Sequence, residues 1–542
     1  MNVYEGTLVE HYLIYNQLNY PVISVLLLLP LLGALVGLLF RSDRAQLLWG
    51  LAVTVATALA SLPLYTQFDR STAQYQFVEL HHWLPALGLD YVVGVDGISV
   101  LLVLLTTLVM PLCVLCSWSY IKERMREFMF VLLVIETAMI GVFVSLNTLL
   151  FFLFWEAMLI PMYLIIAIWG GPRKDYASIK YFLYTFAGSI FFLASIIALY
   201  VQTGSFFIPE LMGQSFSFPF QVWIFLGCSL AFAVKVPMFP LHTWLPAAHV
   251  EAPTAGSVIL ASIMLKLGGY GFLRFCLPMA PEATWYLMPW LIALSIISII
   301  VGGYLALGQS DIKKLIAYSS VGHMGFVTLG IFLLNDQGIK GAMLQMINHG
   351  ITTGALFILI GIIYERTHSR EMSVNRALGS MMPLFVLFLG IFSLSSFGFP
   401  GTNSFVSEFL VLLAAFSKYP LIGALAIVGA ILAAAYMLRL LQSMVWADSD
   451  GHSHGDDHGH VLKDLNGREI GTLSFLTVFV FWIGFYPTPL LDVMDVSVTH
   501  LIDQISVGMP QGGHDNLHHA LSGWGHKIAS LFTTTTPPAA NF

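Results

Sequence analysis

The sequence predicts an all-α polytopic membrane protein of about 14 transmembrane helices. They form two inverted five-helix repeats (helices 4–8 and 9–13), with helices 7 and 12 broken. Three observations carry that expectation. Of 542 residues, 57% are apolar and only 10% are Asp, Glu, Lys or Arg, against about 25% charged in a soluble domain. So little charge could not clothe three or four soluble domains, which excludes soluble enzymes, nucleic-acid binders and disordered scaffolds. Apolar runs of bilayer-crossing length recur along the whole chain, and the basic residues alternate in density from one connection to the next.

The runs lie near 22–40, 47–65, 97–117, 128–145, 148–169, 177–202, 221–245, 253–275, 283–306, 312–333, 339–364, 382–417, 420–444 and 471–495. They are too long for barrel strands and do not alternate apolar with polar. The first is long enough to span, and residues 1–20 hold Glu5 and Glu10 but no Lys or Arg, so no cleavable signal is expected. Of the 23 Lys and Arg, fifteen fall in or beside the connections after odd-numbered helices and five in the others. By the positive-inside rule the odd connections face the cytoplasm and both termini the opposite side. The chain divides into N-terminal helices 1–3 (1–126), a first repeat (127–275), a second (276–444), a His-rich cytoplasmic loop (445–470), and helix 14 with a tail (471–542). A net charge of −7 is too mild to imply a polyanionic partner. Cys113 and Cys116 have redox-motif spacing but sit mid-helix without a second ligand pair, so they read as inert buried thiols.

Two spans are interrupted by proline. The seventh reads Lys235-Val-Pro237-Met-Phe-Pro240 and the twelfth Gly398-Phe-Pro400-Gly401. Proline removes a donor and frees carbonyls, tolerable at membrane depth only where protein or water satisfies them. The breaks lie five helices apart, each in the fourth member of a five-helix unit. A unit with an odd number of spans inserts upside down relative to its twin, the plan of transporters with midplane breaks.

Ionisable residues deep within spans are the strongest functional signal: Glu156, Lys235, Lys266, His323, His349 and Glu408, with Glu136 a seventh of no assigned role. Each costs roughly 2.5–3.5 kcal/mol or more at a helix centre. Lys235 and Lys266 are equidistant from the turn near residue 250, and His323 and His349 from the turn near 336, which sets each pair at matching depth. Arg274 and Arg439 suit snorkelling toward the headgroups instead. Lysine shifts its proton affinity with a neighbouring carboxylate and histidine titrates near neutrality, so the set suits a proton relay. Ser319, Ser320, Gly322, Thr352, Thr353 and Gly354 would leave room for bridging water. His452, His454, His458 and His460 could bind a metal weakly, but no intramembrane cluster would carry one across, and the run reads as a solvated loop.

Leu241-His-Thr-Trp-Leu-Pro246, His249-Val-Glu-Ala-Pro-Thr-Ala-Gly-Ser257, Leu265-Lys-Leu-Gly-Gly-Tyr-Gly271, Asp311-Ile-Lys-Lys-Leu-Ile-Ala-Tyr-Ser-Ser320 and His323-Met-Gly325 resemble the antiporter-like subunits of NADH–quinone oxidoreductase, respiratory complex I. The resemblance runs from about residue 90 to 495 and is nearest to the M-type branch. The L and N types and the sodium/proton antiporter relatives usually have Lys where this chain has Glu408. It implies fourteen helices, with Glu156 as the carboxylate partner of a central Lys235, Lys266 as the connecting lysine, His323 and His349 as the central relay and Glu408 as the terminal site. It implies partners in the membrane arm, above all the L- and N-type neighbours, together with lipids, and no nucleic acid. It implies no cofactor in this chain, FMN, iron–sulfur clusters and quinone belonging to other subunits. Ala247 departs from the Asp that many relatives carry after Leu-Pro.

Overall fold

The computed structural model describes residues 13–84, 89–446 and 462–507, so the His452–His460 run and most of the C-terminal tail lie outside the described residues. Among those described, twelve helices are long and apolar enough to cross a membrane, and two shorter apolar ones, Val22–Gly37 and Pro383–Ser396, occupy the first and twelfth expected positions. Burial is graded across the bundle. Thr254–Met279 and Asp336–Thr367, the eighth and eleventh spans, are wholly enclosed, whereas Lys174–Thr203 and Gly467–Phe485 present most of their surface outward. The outward residues are large and apolar, among them Leu39, Val201, Trp223 and Phe485, as a lipid-facing surface requires. The enclosed helices carry Lys266 and His349, so those charges face protein and not hydrocarbon.

Small residues let the helices approach. A β-carbon on Gly302 would sit 2.7 Å from the Gly322 nitrogen, and one on Gly268 would sit 2.6 Å from the Phe232 oxygen and 2.9 Å from the Val236 nitrogen. The second contact sets the seventh and eighth spans side by side at the level of Lys235 and Lys266.

Four features differ from the sequence-based expectation. A three-stranded sheet joins Leu13–Tyr15, Tyr75–Leu84 and Leu89–Val95, the first pair parallel and the second antiparallel. Its Glu79 accepts from the Ile23 and Ser24 amides, capping a first helix that has no side-chain cap of its own and placing a carboxylate at its positive end. The run expected as 471–495 splits at Pro487 into Gly467–Phe485 and a further helix, Thr488–Val507. That last helix packs against the turn that follows the sheet: Ser497 Oγ accepts from the Gly97 amide at 3.0 Å, and a β-carbon on Gly97 would meet the Val493 carbonyl at 2.2 Å.

Arg274 does not snorkel. It is buried, pairs with Asp96 at 2.7 Å, donates to the Tyr75 and Tyr270 hydroxyls and lies over both rings. A complete set of partners made burial cheaper than extension to the surface. Arg439 is exposed and caps the Leu307 carbonyl. Around several of the small residues of spans 10 and 11 the space is filled by neighbouring protein. Gly322 and Gly354 pack against Ile299 and Ser262, and the Ser319 and Ser320 hydroxyls return to the Ile316 carbonyl.

Candidate functional site

Both expected breaks are present, and each places one charged residue. The seventh span is helical over Phe218–Lys235 and resumes as Trp244–Glu251. Pro237 cannot donate, but the Val234 carbonyl is taken by the Trp244 indole at 2.8 Å and the Ala233 carbonyl by the Met238 amide at 2.8 Å. Protein thus satisfies the broken ladder, and Lys235 stands at its last helical position. The twelfth span ends at Ser396 and restarts at Asn403. Gly398 lies at φ +72°, where its absent β-carbon would come 3.1 Å from Glu408 Oε2. Glycine is required there twice over, by conformation and by the carboxylate.

Lys266 sits between two π-helical turns, Leu260–Met264 and Phe272–Cys276. The wider turn shifts the hydrogen-bond ladder by one residue. The Lys266 ammonium folds back onto the Ala261 carbonyl inside the first of these turns and reaches His349 Nδ1 at 2.7 Å. The His349 ring centroid lies 5.8 Å from that of His323, at 57°. His323 Nδ1 meets Glu408 Oε1 at 3.0 Å, and its Nε2 faces the Tyr436 hydroxyl at 3.3 Å and Ser396 Oγ at 3.4 Å. Four of the six expected residues therefore form one file, Lys266, His349, His323 and Glu408, all buried. Its one step without a direct hydrogen bond lies between the imidazoles, where His349 Nε2 has no protein partner.

The other two lie apart in kind. Lys235 is buried with no hydrogen-bond partner on Nζ, and stands 5.3 Å from the centre of the Trp155 ring and 5.7 Å from that of Tyr181. Glu156, the neighbour of Trp155 on helix Thr148–Ala157, is half-buried with Oε1 unpartnered. Neither a hydrogen bond nor an ion pair joins it to the Lys235 ammonium. Aromatic faces, worth about 2 kcal/mol to a desolvated cation, hold Lys235 where a carboxylate contact was expected. Glu136 is fully buried with both oxygens unpartnered.

The sequence reading missed an uncharged lattice around Glu408. Gln345 Nε2 donates to Glu408 Oε1 at 2.9 Å, the Ser407 hydroxyl donates to Gln345 Oε1 at 2.5 Å, and Asn348 donates to Ser407 Oγ at 3.0 Å and to the Asn403 carbonyl at 2.7 Å. Thr352 and Ser395 extend it to the Asn403 side chain. The signal was available: Gln345, Asn348, His349 and Thr352 recur at i, i+3, i+4 and i+7, one polar stripe on an otherwise apolar helix. The Asp311 motif is structural at the membrane edge. Asp311 caps helix Ile312–Phe332 through the Lys313 and Lys314 amides, and the Lys313 ammonium donates to the Ala252 carbonyl at 2.6 Å. His249 is buried with both ring nitrogens unpartnered, stacked on Phe357 at 4.5 Å. Among the described residues no group of three or more His, Cys, Asp or Glu is arranged to hold a metal ion.

Comparison with known proteins agrees over most of the chain. Residues 145–433 match the family model described as NADH:quinone oxidoreductase/Mrp antiporter, TM. Residues 26–142 match NADH-ubiquinone oxidoreductase chain 4, amino terminus. The chain is 45% identical to NADH-ubiquinone oxidoreductase chain 4 of Arabidopsis thaliana, over 89% of its own length and 97% of that protein's. It is 44% identical to NADH-quinone oxidoreductase subunit M of Rhodobacter capsulatus, over 89% and 96%. Among solved structures it superposes on a chain of respiratory complex I from Thermus thermophilus with a TM-score of 0.78 at 30% identity, covering 88% of this chain and 99% of that one. The chain belongs to the subunit M/chain 4 family of NADH-quinone oxidoreductases, integral membrane subunits of a multi-subunit complex.

Proposed function

We propose that this chain moves protons across a bacterial cytoplasmic membrane, as a membrane-arm subunit of a complex I-type NADH–quinone oxidoreductase. Redox chemistry at FMN, iron–sulfur clusters and quinone takes place in other subunits, and L- and N-type neighbours flank this one among the membrane lipids. The translocating unit comprises residues 127–275 and 276–444, two inverted repeats, and both termini lie on the non-cytoplasmic side.

The observation that carries this reading is the buried file from Lys266 through His349 and His323 to Glu408. A titratable group that merely stabilised a membrane bundle would be paired once and isolated; here four stand in series on four different spans. In the ground state the field of Glu156 helps hold the proton on Lys235. When chemistry elsewhere in the complex alters the local field and draws Glu156 away, Lys235 loses that support and, being desolvated, releases its proton toward Lys266. Lys266 passes it to His349 Nδ1 across the 2.7 Å contact. One bridging water carries it from His349 Nε2 to His323, and imidazole exchanges protons between its two nitrogens. Glu408 receives it through Nδ1 and releases it to the next half-channel.

Substituting Lys235 by Ala should abolish coupled pumping in the assembled complex, measured as protons moved per quinone reduced in proteoliposomes. Unchanged stoichiometry would overturn the relay. Pumping that followed external sodium and not pH would favour a sodium/proton antiporter subunit instead.

A further inference from the structure

A second site lies on the bundle flank, away from the charged file. The short helix Pro63–Thr66 with its cap Leu62, and helices Val100–Tyr120, Asp336–Thr367, Gly467–Phe485 and Thr488–Val507, border a cavity of about 230 Å³ whose lining is entirely aliphatic and aromatic. It begins beside Leu62 and Tyr65, at the membrane face opposite the basic connections, and follows helix Val100–Tyr120 from Leu101 to Val109. Eight residues at 1.5 Å per residue carry it about 12 Å inward, most of one leaflet of a core about 30 Å thick.

The cavity has a polar mouth and an apolar floor. Tyr65 and Trp482 stand at the rim, the position such rings take at a membrane–water interface. The exposed Arg70 lies over the Tyr65 ring, its Cζ 5.4 Å from the centroid. The neighbouring Asp69 is engaged by the Ser71 amide and hydroxyl. At the floor are Ile347 and Ile351. They share one face of their helix and straddle His349, which points away on the other. A slot one leaflet deep with a cation over an aromatic rim matches one kind of molecule.

We propose that this cavity binds an acyl chain of an anionic phospholipid, with its phosphate at Arg70 and its tail against the reverse face of the helix that carries His349. The tail packs Ile347 and Ile351 from behind and keeps water out of that side. The site is independent of the relay mechanism, because it concerns what lies behind the helix and not the proton path in front of it.

The test uses the assembled complex in vesicles of phosphatidylcholine containing a trace of phosphatidylglycerol with a photoactivatable group in its tail, followed by mapping of labelled peptides. Label is expected on 101–109 and 475–483. Leu108→Trp, which fills the cavity, should remove it, and Val109→Phe gives the same result if the larger side chain prevents assembly. Arg70→Gln should lower labelling about fivefold, the equivalent of about 1 kcal/mol for one basic residue near an anionic headgroup, while labelling by a phosphatidylcholine probe stays unchanged. Label absent from these segments, insensitive to Leu108→Trp, or lost equally for both lipids in Arg70→Gln would overturn the proposal. So would a helix of a neighbouring subunit found in the cavity.

Discussion

The two halves of the charged row solve the same problem in opposite ways. Around Glu408 every donor within reach is engaged: His323 and Gln345 both address Oε1, and an amide–hydroxyl lattice backs them. Around Lys235 nothing is engaged. The ammonium is buried against Trp155 and Tyr181, its nitrogen unbonded and joined to no carboxylate. A satisfied polar cluster in a low-dielectric interior is stiff and holds its protonation state, whereas an unsatisfied charge is costly and responds strongly to small changes in field. Within the proposed relay the difference makes the Lys235 end the more field-sensitive and the Glu408 end the more rigid, although both break a helix with proline to place one residue.

The sharpest way to break this comparison is to delete each end and measure both pumping and stability. Glu408→Ala should abolish pumping and lower the thermal midpoint of the purified complex, since it strands two buried donors at about 1–3 kcal/mol each. Lys235→Met should abolish pumping equally yet leave the midpoint unchanged or raised, because an unpaired buried charge gives way to an apolar side chain of similar length. If both variants were destabilised alike, the two ends would not differ in kind.

A smaller effect is expected at Gly398. Alanine there meets both a left-handed backbone penalty of about 1–2 kcal/mol and the Glu408 carboxylate 3.1 Å away. Slower proton release with normal quinone reductase turnover in unenergised membranes is the outcome to look for. The smallest is Trp155→Phe, which keeps a ring beneath Lys235 but weakens its hold by about 0.5–1 kcal/mol and removes the indole's donation to the Ser189 hydroxyl, which keeps its own bond to the Thr185 carbonyl. A few-fold change in pumping rate, without change in assembly, would locate part of the response in the aromatic face.

Chain length and proline placement made the membrane architecture legible. Hydrocarbon thickness fixes how long an apolar run must be, and the prolines at 237 and 400 mark where the ladder fails. The short strands Tyr75–Leu84 and Leu89–Val95 were hidden because residues 66–96 read as a connection between spans. The run 471–495 misled because apolar residues continue across Pro487 into an independent helix. At the site, charge in hydrocarbon was conspicuous, so all six titratable positions could be named and the depths of Lys235 with Lys266 and of His323 with His349 paired. Which of them touch could not be read. Contact depends on π-helical turns near Lys266 and on rotamers that leave no one-dimensional trace. Arg274 was misread for a related reason: its partners Asp96 and Tyr75 lie nearly two hundred positions away. Gln345 and Asn348 escaped notice because neutral amides cost little enough in a membrane helix to look ordinary.

The bond from Gly97 to Ser497 spans 400 positions, and its consequence concerns the order of events during synthesis. The portion of the chain that leaves the ribosome first cannot complete its packing until nearly all the rest has been threaded into the bilayer. Premature termination upstream of residue 497 would leave the Gly97 amide without its acceptor, and termination upstream of residue 493 would also remove the Val493 carbonyl from its seat. Quality-control proteases would then meet an unsealed product however many spans had inserted correctly.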